Sequence, residues 1–361
     1  MFDLFKKSQK NENKKSPIRQ VCSDYSKRTF DNFGANFIAA SCLSSNLSNN
    51  ATARRLDEKF TLPCVLSIAG CDSSGGAGIQ ADIKTIQSLG LFAETAISAI
   101  TAQNTTGVRA VQNIDPKIIE AQIDAVFEDI PPAAVKIGMV STPEIACAIA
   151  RALIRNNAKN IVLDPVMVAT SGSSLAEDDA VQAMRDHLFG FASVITPNLS
   201  EAEVLAGFSI KGAEDAVHAA HVIQDECKSA RDNMNEKSRW NSSSDANKDN
   251  HTCAVLIKGG HGLQGPQRAV PHSNESASDD FLLTADGAEA WLYGIRIDNP
   301  NTHGTGCTLS SAIASYLALG YGIPQAVGAA KDFLTGAISA RLDMGAASGP
   351  LDHFWQFRER V

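Results

Sequence analysis

The stretch Asn301-Thr302-His303-Gly304-Thr305-Gly306-Cys307-Thr308 sets two glycines one residue apart ahead of a small-residue helical pattern, Leu309 to Leu319, that stops at Gly320. Glycine has no Cβ, so such a turn bends sharply and lets a ligand approach the backbone. A helix opening there aims unpaired N–H groups and its positive dipole end into the turn. That combination is an anion site suited to a phosphoryl group. Gly304, Thr305, Gly306 and Cys307 would form it, and a thiol at a helix N-terminus is expected to ionise below its ordinary range. The same residues also fit a plain glycine turn before a buried helix with a cysteine in the core.

A second glycine loop runs from Ala69 to Asp82. Gly76, Gly78 and Ala81 satisfy G-x-G-x-x-[GA], yet no acidic residue closes a second strand roughly 20 positions on, as a dinucleotide site needs. No Gly-Lys-[Ser/Thr] makes it a P-loop, because Lys84-Thr85 lies a turn into the next helix. Asp82 reads as a charge favoured by the helix dipole or as a carboxylate that binds a polar substrate. Gln103 ends an apolar strand with one donor and one acceptor, which suits an aminopyrimidine edge and equally an ordinary strand end. Asp164 ends another buried strand before Pro165, where a carboxylate needs a cation or a cleft; Mg²⁺ with nucleotide phosphates is one natural partner. Asn198 and Glu201 match a capping box, which is compatible with both facing metal-bound phosphates. Lys258 runs into Gly259-Gly260, where it could neutralise phosphate or stand as a solvated charge. His261 and His303 read as turn or structural histidines. Taken together, these groups supply the positioning, metal and charge neutralisation that phosphoryl transfer requires.

The elements that must position them alternate. Strands are expected at 65–69, 95–102, 134–137, 161–168, 193–196 and 254–257. Helices are expected after the first glycine loop to about Leu89, then at 116–127, 143–156, 177–188, 200–206, 213–226, 306–319 and 324–341. Continuous apolar strands alternating with helices indicate an α/β fold with a parallel sheet covered on both faces. Ligands in such folds bind beyond the carboxyl ends of the strands, where every motif above lies. Residues 1–60 carry eleven Lys/Arg against six Asp/Glu and show no sustained period, so they read as a disordered extension. Residues 228–251 have almost no apolar side chain and read as a disordered insertion, and 263–280 as a shorter polar excursion before an edge hairpin.

Composition narrows the function. The 361 residues are 44% hydrophobic with a formal charge of −8, which argues against nucleic acid as the main partner. No apolar run approaches the roughly 20 residues of a membrane span, and Met1 to Gln20 lacks the apolar block of a secretory signal. Eight cysteines form no CxxC pair and no Cys/His metal spacing, which suggests reduced thiols and a cytoplasmic setting.

On the motifs AGCDSSGGAGIQADIKT (69–85), ITAQNTTGV (100–108), VKIGMV (135–140), VLDPVMVATSG (162–172), ITPNLSEAE (195–203), LIKGGH (256–261) and NTHGTGCTLSSAIA (301–314), the chain resembles the hydroxymethylpyrimidine/phosphomethylpyrimidine kinases of thiamine biosynthesis, within the ribokinase-like superfamily. The resemblance covers about residues 63–357. It implies a three-layer α/β/α sandwich with a mostly parallel central sheet over 61–361. It also implies an ATP- and Mg²⁺-dependent enzyme that phosphorylates 4-amino-5-hydroxymethyl-2-methylpyrimidine twice, and a homodimer is expected. By that resemblance Gly70, Asp82 and Gln103 hold the pyrimidine and Met139 and Val166 pack on it. Cys307 lies near the substrate hydroxyl, and the amides of Gly304, Thr305, Gly306 and Cys307 form the anion hole. Asp164, Asn198, Glu201 and Lys258 face the nucleotide, with Asp164 and Glu201 on the metal directly or through water or phosphate. A pyridoxal/pyridoxine-type vitamin kinase is the alternative within the fold, and a non-catalytic pyrimidine-binding module the alternative outside enzymes.

Overall fold

In the computed structural model, residues 60–167, 178–241, 253–260, 263–266 and 277–358 are described. The expected extension at 1–60 therefore lies outside the described residues except for its last position. His261, Val168 and most of the polar excursion at 263–280 also lie outside them.

The strands are β1 (Cys64–Asp72), β2 (Phe92–Asn104), β3 (Gly107–Asn113), β4 (Ala134–Ile137), β5 (Ile161–Leu163), β6 (Val194–Ile195), β7 (Ala254–Ile257), β8 (Asp280–Leu283) and β9 (Glu289–Leu292). They form one sheet in the order β3-β2-β1-β4-β5-β6-β7-β8-β9. The six strands β2, β1, β4, β5, β6 and β7 pair in parallel, while β3, β8 and β9 are antiparallel additions at the two edges. The helices are α1 (Gly78–Ser88), α2 (Pro116–Asp129), α3 (Pro143–Arg155), α4 (Asp178–His187), α5 (Leu199–Ala206), α6 (Ala213–Asn241), α7 (Thr305–Ala318) and α8 (Ile323–Ser339). Side chains alternate across a strand, so Leu66 and Ile68 of β1 face the cluster holding Ile119, Ile149, Leu205 and Ile223 of α2, α3, α5 and α6. Val65 faces the opposite cluster, with Ile86, Ile313 and Phe333 of α1, α7 and α8. The result is the three-layer α/β/α sandwich expected.

Helix starts follow their caps. Asp115 accepts from the Lys117 N–H ahead of Pro116, and Thr142 accepts from the Ile145 N–H ahead of Pro143. Two elements differ from expectation. Strand β3 was not anticipated, because its side chains are largely exposed and carry no buried alternation. Helix α6 does not stop near Glu226; it continues to Asn241, so the first part of the supposed insertion at 228–251 is helical and the rest lies outside the described residues. The cause is local propensity together with a docking contact. Residues 228–236 include Lys, Ala, Arg, Met and Glu, all good helix formers. Arg231 Nε donates to the Gly190 carbonyl at 2.8 Å, and a Cβ on Gly190 would come 2.7 Å from Met234 Sδ.

One buried carboxyl sits far from the strand ends that carry the motifs. Glu94 of β2 is 7% exposed, and its Oε2 has no hydrogen-bond partner among the described residues. Burial pushes its carboxyl up to about 7. A carboxyl raised on folding favours the protonated native state, so this contribution is complete below the ordinary carboxyl range and disappears as pH rises through about 7. Glu94→Gln should therefore flatten the fall in melting temperature between pH 5 and pH 8 and raise it by a few degrees at pH 8. Melts of the two proteins at both pH values check it; identical slopes would refute it.

Candidate active site

Asp72 closes β1 and organises the first glycine loop around itself. Its Oδ1 accepts from the Ser74 N–H and Oγ–H, and its Oδ2 from the Gly76 and Ala77 N–H groups at 3.1 and 2.8 Å. His303 Nε2 lies 2.8 Å from the same Oδ2. Burial pushes the Asp72 carboxyl up, but the bonds from His303, Ser74 and Ala77 outweigh it and hold it well below the usual carboxylate range. His303 thereby ties the loop before α7 to the loop before α1. The two loops touch at Gly304, whose φ is +83° and where a Cβ would fall 2.0 Å from the Gly76 carbonyl oxygen. Only glycine fits there. The sequence reading of His303 as a structural histidine agrees with this.

Thr305, Gly306 and Cys307 form the first turn of α7, so the anion site expected from their spacing has its helix and its left-handed N-cap, Gly304. Behind it His353 Nε2 lies 2.9 Å from Thr308 Oγ1. Beside it is the acidic and basic cluster from three strand ends. Lys258 Nζ donates to Asp164 Oδ1 at 2.8 Å and lies 3.8 Å from Glu201 Oε2. Thr196 Oγ1 donates to Asp164 Oδ1 and Ser310 Oγ to Asp164 Oδ2, at 3.2 and 3.3 Å. A Cβ on Gly306 would be 3.4 Å from both Asp164 Oδ2 and Lys258 Nζ, so this cluster abuts the first turn of α7. Asn198 and Glu201 make the full capping box of α5. Burial raises the Glu201 carboxyl to about 7, with Lys258 opposing and Asp164 adding to the rise.

On the other flank, Gly70 sits at a bulge in β1, where a Cβ would fall 2.8 Å from Met139 Sδ. Gln103, at the end of β2, has its Nε2 3.4 Å from His303 Nε2. Met139 is buried and Val166 half-buried at the ends of β4 and β5.

These motifs thus converge from the carboxyl ends of β1, β2, β4, β5, β6 and β7 onto the first turn of α7. Residues 72–352 match the Phosphomethylpyrimidine kinase family. The chain belongs to that family, and it is a kinase. It is 45% identical over 291 residues to a hydroxymethylpyrimidine/phosphomethylpyrimidine kinase of Rhizobium meliloti, covering 80% of this chain and 96% of that one. Among solved structures, the phosphomethylpyrimidine kinase of Clostridium difficile superposes with a TM-score of 0.58 at 41% identity, over 76% of this chain and 99% of that one. A Bacillus subtilis pyridoxal kinase solved with ADP gives 0.66 at 32% identity, over 82% and 99%.

Two site residues carry features that their motifs do not show, the first being Asp82. It is fully buried, accepts from Ser67 Oγ and Ser311 Oγ at 2.5 and 2.7 Å, and is ion-paired at 2.8 Å to Lys136, itself fully buried. Both of its oxygens are thus engaged inside the protein. Lys136 is the residue that sequence reasoning missed. Cys307 also departs from expectation: burial pushes its thiol up to about 11 rather than down. The Lys136 ammonium and an N–H from Gly78 pull the other way, and the carboxylates of Asp82 and Asp164 add to the rise. Desolvation therefore outweighs the helix N-terminus.

The donor set for a cation is sparse. Among the described residues no group of three or more His, Cys, Asp or Glu side chains is placed to hold a metal. Asp164 and Glu201 are two carboxylates near the helix start expected to receive an anion. That fits a magnesium ion held mostly by phosphate oxygens and water, and not one caged by protein.

Proposed function

We propose that this family member transfers the ATP γ-phosphoryl group to the hydroxyl of 4-amino-5-hydroxymethyl-2-methylpyrimidine, and then phosphorylates the monophosphate to the diphosphate. The observation that carries this reading is the junction at Gly304. There the loop of Gly76 meets the start of α7, with Gln103 near His303 on one side and Asp164 and Lys258 beside Gly306 on the other. The amides of Gly304, Thr305, Gly306 and Cys307 receive the transferring phosphoryl group, and Lys258 offsets its charge. Asp164 and Glu201 would hold Mg²⁺ through water or phosphate, and the ion would neutralise the β- and γ-phosphates. Met139 and Val166 exclude water over the ring. The Asp82–Lys136 pair lies beneath the site and supports it without touching substrate. Cys307 keeps its proton in the resting enzyme and holds the substrate hydroxyl in line by a hydrogen bond, while the hydroxyl proton passes late to a phosphoryl oxygen and on to water.

The two-step reading is supported by relatives named for both pyrimidine and phosphomethylpyrimidine, at 38–45% identity. A second substrate, pyridoxal, is favoured by the pyridoxal kinases of Staphylococcus aureus and Bacillus subtilis among the structural neighbours, at 30–32% identity. A cytoplasmic homodimer completes the proposal.

Product analysis with ATP, Mg²⁺ and each of the two vitamin precursors tests it: pyrimidine mono- and diphosphate are expected, with pyridoxal phosphorylated less well. Asp164→Asn should lower turnover about 10²-fold while pyrimidine still binds without nucleotide. Glu201→Gln should both shift the Mg²⁺ dependence and lower the melting temperature, because that residue also caps α5. No ATP consumption with either precursor would defeat the reading.

A further inference from the structure

Gln103 is the residue through which the proposed pyrimidine is read, and the following rests on that reading. Its amide meets two groups whose hydrogen-bonding roles are already fixed. Asp72 is ionised, so it only accepts, and His303 Nε2, 2.8 Å from Asp72 Oδ2, must carry the proton. With Gln103 Nε2 set 3.4 Å from that nitrogen, two donors face each other. At the other end, Thr101 Oγ1 donates its single hydrogen to the Cys71 carbonyl at 2.8 Å. With Gln103 Oε1 set 3.2 Å from the same hydroxyl, two acceptors compete for one hydrogen. Turning the amide by half a turn about its last bond removes the facing donors and eases the other end. The carbonyl then shares the single His303 Nε2 hydrogen with Asp72 Oδ2, and the NH₂ group donates to the free lone pair of Thr101. The two ends of an amide are told apart by their partners, and here both partners agree.

We propose that His303 and Thr101 are specificity-determining positioning residues that lock the Gln103 amide in one polarity, carbonyl toward the imidazole and NH₂ toward the hydroxyl. Asp72 fixes His303, and the Cys71 carbonyl fixes Thr101. An aminopyrimidine edge presents an amino N–H beside a ring-nitrogen lone pair. It pairs with the remaining acceptor and donor of a locked amide in one orientation only. The hydroxymethyl group, on the ring carbon next to the amino-bearing one, is then carried to one side. A free amide would accept the ring turned over, with the hydroxymethyl group on the wrong side of the first turn of α7.

The test compares the aminopyrimidine with its des-amino analogue, 5-hydroxymethyl-2-methylpyrimidine, by calorimetric affinity and by single-turnover rate. The parent should prefer the amino compound by about tenfold or more, the worth of one well-made hydrogen bond. His303→Leu should keep that affinity ratio but lower the saturating single-turnover rate on the amino compound about twofold or more, as part of the ring binds turned over, with ATP affinity unchanged, since Asp72 keeps its Ser74, Gly76 and Ala77 donors. Gln103→Ala should abolish the affinity ratio, and adding His303→Leu to it should lower the rate no further. A purely structural role for His303 predicts instead that losses add. Thr101→Val gives the same readout should His303→Leu not fold. A folded His303→Leu or Thr101→Val protein that keeps the parent's saturating rate on the amino compound overturns the proposal. A parent that binds neither pyrimidine refutes the proposed substrate and this inference with it, whereas a parent that binds both equally refutes this inference alone.

Discussion

Lys136→Met should destabilise this protein by about 3–5 kcal/mol, a drop in melting temperature of roughly 10 °C for a chain of this size. Lys136 and Asp82 are fully buried and 2.8 Å apart, with Ser67 and Ser311 completing the carboxylate's shell. Removing the ammonium leaves a charged group in the interior with two hydroxyl donors, and that uncompensated charge dominates the loss. Replacing both partners removes the charge as well as the pair. Lys136→Met/Asp82→Asn should therefore recover much of what Lys136→Met loses, because an asparagine carbonyl still accepts from both serines. The recovery distinguishes buried charge from lost packing, since the double variant changes more atoms yet should be the more stable. Calorimetric melts of the parent, both single variants and the double variant decide it. A single Lys136→Met variant that melts with the parent would show that the pair contributes nothing.

The parallel sheet was legible because its strands are short apolar runs flanked by glycine, proline or a single charge. Val65 to Ala69, Ala134 to Ile137 and Ala254 to Ile257 could hardly be read otherwise. The capping box of Asn198 and Glu201 and the helix start at Gly304 were legible for the same reason: each is a local pattern with a local cause. What stays hidden is non-local. Lys136 in a four-residue strand reads as a solvated charge until Asp82, 54 residues away, is placed beside it. Family resemblance assigns Asp82 to substrate, and only tertiary packing shows that both of its oxygens also have partners inside the protein. Strand β3 escaped because edge strands carry little buried alternation, and the tail of α6 because its helical residues lack an apolar stripe. The Cys307 thiol was misjudged because the sequence exposes the helix dipole but not the depth at which the sulfur is set.

That depth decides how Cys307 can act, and its replacement carries the largest expected effect on rate. With the thiol raised to about 11, the enzyme is neutral at this sulfur through the physiological range. A reactive thiolate would be alkylated quickly at neutral pH; here iodoacetamide should react slowly at pH 7.5, with a rate that climbs about tenfold per pH unit towards the thiol's own range. Phosphoryl transfer asks little of a base before the bond to the leaving group has loosened, so the hydroxyl proton can pass late to a phosphoryl oxygen and on to water while the neutral thiol keeps the hydroxyl aligned. Losing such alignment costs about 10²-fold or more. Cys307→Ala should lose turnover on that scale while the affinities for ATP and pyrimidine stay within a few-fold, because the proposed anion site is built from backbone amides that the substitution leaves in place. Cys307→Ser keeps a hydroxyl that can make the aligning hydrogen bond at a shorter reach and should fall between parent and alanine. The rate of the parent between pH 6 and 9 should carry no inflection from this residue, whereas a thiolate mechanism predicts a rise with pH that Cys307→Ser abolishes. Single-turnover rates across that range, with alkylation followed in parallel, separate the two. Should Cys307→Ala transfer phosphoryl at the parent rate with chemistry limiting, the sulfur has no part in aligning the hydroxyl, and the first turn of α7 acts through its amides alone.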